Sequence, residues 1–436
     1  MIPVEGRAIA GLDEFMLRLG HLSAICRVAT TDGGSAHRFE RAITSKFTDL
    51  VSVPVPLAPA FARYLRIKGL SPVEAKITDA KEKTNKENEY RYPELRVVDP
   101  GGPHEAVVSD HNKIMGQWQD VSLSHPTVNS KVGAISFGGK KSSKSGLSHL
   151  LDWGGFLGLF NGAGALTNFG QLIGKYPDVI AAPNANPYAL GTEKLIYGYI
   201  IAREDFDVFA SLVSLLAAQK DVLRKQDGMQ LYTKVVTDLS DRAEKSRNLS
   251  QGRRQEIFSL WREVKPRRRS EDQITSTAWH RISARLENFV DLGLLQKDVS
   301  EQYEYKYRTT ENLQRARQTL ETSVDATAWI DSNLVDVLIG GSASDDPIAA
   351  SDLEPHLLKL LSVLSRPMSP LPLDVIASGL AALSLNAGAA ITIGTARRSL
   401  ENYAVEHPER ARLSAGATRK AEYISIDAAS LARERL

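Results

Sequence analysis

Thr275–Leu295 reads TSTAWHRISARLENFVDLGLL, and Tyr303–Leu313, a few residues on, reads YEYKYRTTENL. In the first stretch Trp279, Ile282, Leu286, Phe289 and Val290 recur at helical spacing and make one apolar stripe. It closes on Asp291-Leu-Gly-Leu-Leu295, where Gly293 suits the left-handed position just past a helix end. In the second stretch Tyr303, Tyr305 and Tyr307 alternate as side chains on one face of a strand do. A helix, a glycine stop, a polar turn and a strand are therefore expected in that order.

Working outward, related patterns occur on both sides. Upstream, Ser148–Phe160 (SHLLDWGGFLGLF) is a short amphipathic run, followed by NGAGA and by LTNFGQLI at Leu166–Ile173. Downstream, Ser351-Asp-Leu-Glu354 reads as a capping box opening a helix through Leu364. Pro367, Pro370 and Pro372 break that helix, and further helices are expected at Leu373–Leu385 and Ile393–Val405. Ala411–Asp427 (ARLSAGATRKAEYISID) reads as two short strands around a Ser-Ala-Gly-Ala turn.

The order of three helices, a Gly-Leu stop and a two-stranded wing resembles winged-helix modules. The residues carrying the resemblance are Asp291-Leu-Gly-Leu-Leu295 with Tyr307-Arg-Thr-Thr310, and Phe156-Leu-Gly-Leu-Phe160 with Leu166-Thr-Asn-Phe-Gly170. The third copy, around Arg397-Arg-Ser-Leu-Glu-Asn-Tyr403, matches in order of elements rather than in letters. The resemblance is to a superfamily and spans about two-thirds of the chain by the residues quoted. It implies a mainly α fold with small β wings, built from tandem winged-helix domains behind an α+β N-terminal region. The expected division is 1–130 for that region, 131–225 for a winged helix with a helical segment, 226–325 for the middle winged helix, 326–350 for a linker and 351–436 for the C-terminal winged helix.

The N-terminal region is mixed. Phe15, Leu17, Leu19, Leu22 and Ile25 suggest a short helix, while prolines at 54, 56 and 59 favour extended chain. Lys76–Glu94 alternates charges of both signs, and Val97–Val108 has β-branched runs on either side of a Pro-Gly-Gly-Pro turn, as in a hairpin.

Composition narrows the function. The 436 residues carry 54 Lys and Arg against 52 Asp and Glu, a formal net charge of +2, which argues against a polybasic protein. A single cysteine, Cys26, excludes an intramolecular disulfide and any multi-cysteine zinc site, and it reads as a core residue. The longest apolar stretch, around Leu195–Ile201, is far shorter than the roughly 20 residues a membrane helix needs. With acidic residues at Glu5, Asp13 and Glu14 in place of a signal peptide, a cytoplasmic protein without membrane association is expected.

Charge is nevertheless unevenly placed. From Arg262 to Arg285 there are seven basic residues against three acidic ones. A DNA-reading winged helix enters the major groove with its third helix and touches the backbone with its wing. On that reading the middle unit offers Lys265, Arg267, Arg268 and Arg269, then Arg281, Arg285 and Asn288 on the outward helix face. Lys140, Lys141 and Lys144 form a basic loop near the first unit, which fails the Walker A spacing because Ala134 stands where its first glycine is required. The C-terminal unit offers Arg397, Arg398, Arg419 and Lys420, although Glu401, Glu406 and Glu409 nearby oppose phosphates and make protein docking equally reasonable.

For catalysis, Asp99, His104, Glu105, Asp110 and His111 are the one cluster able to suggest a metal-dependent nuclease, but no ligand or catalytic motif surrounds them. No catalytic residue, metal or cofactor is assigned. The leading expectation is a non-enzymatic, DNA-binding subunit of a larger bacterial-type complex, active in genome defence, mobile-element control or chromosome maintenance. Duplex DNA and other protein subunits, such as an ATPase, helicase or nuclease, would be its partners. The alternative is an interaction scaffold whose winged helices dock partner subunits, as in proteins resembling kleisin complexes.

Overall fold

The computed structural model describes residues 153–161, 165–180, 192–219, 223–224, 228–246, 249–264, 276–299, 305–364, 370–415 and 421–433, the strands Leu95–Val98 and Glu105–Val108, and Leu19, Leu22, Cys26, Ala29 and Thr30. Over these residues the chain is mainly α with sheets of two and three short strands. In the N-terminal region β1 (Leu95–Val98) pairs antiparallel with β2 (Glu105–Val108), Val98 opposite Glu105, as the hairpin pattern predicts.

Three helices follow: α1 (Asn168–Val179), α2 (Glu193–Glu204) and α3 (Phe206–Ala218). Then come β3 (Leu223–Arg224), α4 (Gly228–Lys245), α5 (Gln251–Val264), α6 (Ser276–Asp291), β4 (Leu295–Val299) and β5 (Tyr305–Thr309). Helices α7 (Glu311–Thr322) and α8 (Ala326–Ile339) lead to α9 (Ala350–Val363), β6 (Leu371–Pro372), α10 (Leu373–Asn386), α11 (Ile393–Glu406), β7 (Ala411–Ala415), β8 (Ala421–Ile426) and α12 (Ala428–Arg433). Both three-stranded sheets are antiparallel and share one order, the short early strand beside the last strand and the last beside the middle one: β3-β5-β4 and β6-β8-β7. Strand β3 lies upstream of residue 226, yet pairs with β5 across the whole middle unit.

The apolar stretch Leu195–Ile201 is the heart of α2, and each of its residues is buried. A helix apolar all round belongs inside a protein, and α2 packs against α8 and α10. Among the described residues no helix is long and apolar enough to cross a membrane. Phe206 and Phe209 of α3, Phe289 of α6 and Trp329 of α8 form an aromatic cluster with centroids 5.3–6.5 Å apart. The Trp329 indole donates to Thr319 Oγ1 at 2.9 Å, so the one polar atom of this ring is satisfied inside the core.

Two joints with the same bonds explain the Gly-Leu stops. After α6, Gly293 takes φ +76°, its N–H bonds Val290 O at 3.0 Å, and Leu294 N–H reaches back to Phe289 O at 2.8 Å. After the helical turn at 153–156, Gly158 takes φ +70°, and the same bonds run from Gly158 to Gly155 and from Leu159 to Gly154. Left-handed backbone of this kind suits glycine because it has no Cβ. In each case a threonine returns to close the joint. Thr310 N–H donates to Leu294 O and its hydroxyl to Gly293 O, while Thr167 N–H donates to Leu159 O and its hydroxyl to Gly158 O. Each hydroxyl then accepts from a backbone N–H three residues on, Leu313 or Gly170, starting the next helix.

One expected cap is not formed. Helix α9 starts at Ala350 behind Ala349, which makes no side-chain cap bond, so Ser351 lies within the helix. The Glu354 carboxylate that a capping box would use accepts instead from Tyr403 Oη and Arg410 Nη1, each at 2.8 Å. An arginine and a phenol outcompete a backbone N–H for that carboxylate. Burial, with the bond to Glu354, pushes the Tyr403 phenol up to about 12.

Candidate functional site

The expected nucleic-acid-binding residues divide into three groups. Lys140, Lys141, Lys144, Lys265, Arg267, Arg268, Arg269, Arg419 and Lys420 lie outside the described residues. Arg281 belongs to α6. The remaining four are placed in full: two are buried, one is half-buried and one is exposed.

Arg285 and Asn288, expected on the outward face of α6, are 3% and 2% exposed. Arg285 donates from Nε to Asp205 Oδ2 at 2.6 Å and from Nη2 to Asp205 Oδ1 at 3.1 Å. Asp205, at the junction of α2 and α3, is itself buried. An arginine-aspartate fork of this kind is satisfied internally and offers nothing to a phosphate. Asn288 Oδ1 has no hydrogen-bond partner among the described residues, and leaving such an atom buried costs about 1–3 kcal/mol. The outward placement of these two residues is thereby corrected: α6 is covered around its second half, where Glu287 and Asp291 are buried as well. Glu287 accepts from Tyr307 Oη at 2.6 Å, and Asp291 accepts from Leu19 N–H at 2.8 Å, which ties Leu19 to the end of α6.

Arg397 on α11 is half-buried and held in ion pairs. Its Nη1 meets Asp331 Oδ2 of α8 at 3.1 Å and its Nη2 meets Asp374 Oδ1 of α10 at 2.7 Å. Burial works against the guanidinium charge, but Asp331 and Asp374 outweigh it and hold Arg397 above its ordinary value. Arg398, the next residue, is exposed, and its Nη2 reaches Thr395 Oγ1 and the Asp345 carbonyl.

Around the Arg397 clamp lies a cleft of about 470 Å³, walled by α2, α8, α10, α11 and the strands β6 and β8. Arg203 of α2 stacks over the Phe169 ring at 4.6 Å and the Tyr199 ring at 5.7 Å, and approaches Asp374 Oδ2 at 3.8 Å. Burial raises Tyr199, and Asp374 beside it adds to the rise, so the phenol keeps its proton and bonds that carboxylate. Asp331 is raised chiefly by burial. Arg397 opposes the rise, and Asp374, Asp325 and Glu401 add to it. Asp331 Oδ1 has no hydrogen-bond partner among the described residues. Among the described residues no group of three or more His, Cys, Asp and Glu side chains could hold a metal ion. Of the N-terminal cluster, Glu105 lies in β2 and the other four residues fall outside the described ones.

No protein-family model, no curated protein and no solved structure matches this chain.

Proposed function

We propose that this chain is a non-enzymatic, DNA-binding subunit of a larger bacterial-type cytoplasmic assembly, built on tandem winged-helix units and serving genome defence, mobile-element control or chromosome maintenance. The supporting architecture is the repeated one: helix, short strand, helices, then a two-stranded ribbon, with both sheets in the same strand order. The observation that carries the reading is the position of Lys265-Pro-Arg-Arg-Arg269 in the sequence between α5 and α6, the latter being the helix that runs through the glycine joint into the β4–β5 ribbon. Arg308 on that ribbon is exposed. With Arg285 and Asn288 inside the core, DNA contact falls to the segment before α6, to Arg281 and to the ribbon.

The test is binding to duplex DNA across salt concentrations. Neutralising several phosphates releases counterions, so affinity should fall by about 10³-fold between roughly 50 and 200 mM salt for six contacts. Charge reversal at Arg267, Arg268 and Arg269 should abolish most of the binding. No shift of duplex or single-stranded DNA at low salt would rule the proposal out.

A second reading applies to the C-terminal unit alone. Its α11 commits Arg397 to two carboxylates and carries Glu401 and Glu406, and Glu409 follows the helix. That balance favours docking of a protein over docking of DNA.

A further inference from the structure

We propose that Asn161 is a site of spontaneous covalent modification, assisted by the fold: the backbone nitrogen of Gly162 attacks its side-chain amide, ammonia leaves, and aspartate and isoaspartate result. The proposal requires nothing of the DNA-binding or docking readings.

Sequence supplies the reacting groups. Asn161-Gly162 is the only Asn-Gly pair in the 436 residues. Glycine carries no Cβ, so its nitrogen approaches the preceding side chain with little steric hindrance. Asn161 is exposed, which gives water access to the reacting amide.

Structure supplies the assistance. Phe160 and Leu166 form an antiparallel bridge, and Asn161 N–H donates to Ala165 O at 2.9 Å. Ala165 N–H donates in return to Asn161 Oδ1, also at 2.9 Å. Negative charge develops on that oxygen as the nitrogen adds to Cγ. A fixed backbone donor at about 2.7–3.1 Å from a developing oxyanion lowers the barrier to acyl transfer.

The steps balance without any redox change. Base removes the Gly162 amide proton, and the nitrogen forms a bond to Asn161 Cγ. The tetrahedral intermediate expels Nδ2 as ammonia, which takes a proton from water, and a succinimide ring is left. One water then opens the ring. Cleavage between Cγ and the nitrogen gives aspartate, whose carboxylate keeps an acceptor for Ala165 N–H. Cleavage at the backbone carbonyl gives isoaspartate. The main chain then runs through Cβ and Cγ and is one atom longer, which shifts the pairing of residue 161 with Ala165.

The test incubates the full chain at mildly alkaline pH in heavy-oxygen water and follows the tryptic peptide Ser145–Lys175 by mass spectrometry. The same peptide contains Asn168, the first residue of α1, which is followed by Phe169 and serves as internal control. Asn161 should take up heavy oxygen and resolve into two acidic products, while Asn168 stays an amide. Gly162→Val crowds the attacking nitrogen and should slow conversion at least about tenfold. In guanidinium the sequence is unchanged but the Ala165 donor is lost, so conversion there should also slow, by about tenfold for one exposed donor. Conversion at Asn161 that is slower in both controls supports the proposal. No conversion of Asn161 in the folded chain, an undiminished rate in Gly162→Val, or an equal or faster rate in the denatured chain would each overturn it.

Discussion

Arg285 of α6 and Asp205 between α2 and α3 form a two-bond fork, 2.6 and 3.1 Å, that is closed off from solvent on both sides. The pair ties α6 to the junction of α2 and α3. Removing one partner strands the other charge. Arg285→Ala should therefore destabilise the protein by about 3–5 kcal/mol, whereas Arg285→Met combined with Asp205→Leu should cost less than either single change. Urea denaturation of the four proteins measures this directly, and additive losses would contradict it.

The threonine that closes each glycine joint should matter in proportion to its bonds. Thr310→Ala removes the hydroxyl that serves Gly293 O, Leu294 O and Leu313 N–H, and should cost about 1–2 kcal/mol. Thr310→Ser keeps the hydroxyl and should recover most of that loss. Thermal unfolding of the two variants gives the comparison, and an equal drop for both would show that the methyl group, not the hydroxyl, is what counts.

Asp331 makes a pH-dependent contribution of unusual sign for a carboxylate in an ion pair. Its folded pKa lies above the ordinary value because burial outweighs Arg397. A raised carboxylate pKa means the folded chain holds that proton more tightly than the unfolded one. Its contribution is therefore fully present below the ordinary carboxylate pKa and is lost as pH rises through the raised one. Compared with Asp331→Asn, wild type should lose relative stability on going from acid to neutral pH. A stability difference that instead grows with pH would contradict the assignment.

DNA affinity should divide the arginines by exposure. Neutralising Arg267, Arg268 and Arg269 should flatten the plot of log affinity against log salt by about 0.9 for each one that meets a phosphate. Arg285→Met with Asp205→Leu, once shown to be folded, should leave that slope unchanged. A lower slope in the buried-pair variant would place Arg285 at the interface after all.

How much of this was legible beforehand follows from the range of the forces involved. Helix α6, its glycine stop and the β7–β8 ribbon are set by local periodicity and turn chemistry, and their expected bounds lie close to the observed ones. The fates of Arg285 and Arg397 are set by carboxylates 80 and 66 positions away, which no local pattern around either arginine reveals. A signal did exist on the other side of the first pair. Asp205 and Asp207 flank Phe206 at the start of the largely apolar α3, and a carboxylate enclosed by apolar chain needs a cation. Asp207 finds Arg242, at 3.7 Å, as Asp205 finds Arg285. Ser351 failed as a cap for a related reason, since a distant arginine and tyrosine claimed Glu354.

The two glycine-threonine joints differ in what they enclose. One is tied from Leu159 to Thr167 and the other from Leu294 to Thr310, so the enclosed chain doubles from eight positions to sixteen while the knot stays the same. Doubling a loop between fixed ends costs only about 0.6 kcal/mol. Between residues 299 and 305 the length and charge of the chain can thus be rewritten, provided that β5 keeps its pairing with β3 and Tyr307 its bond to Glu287.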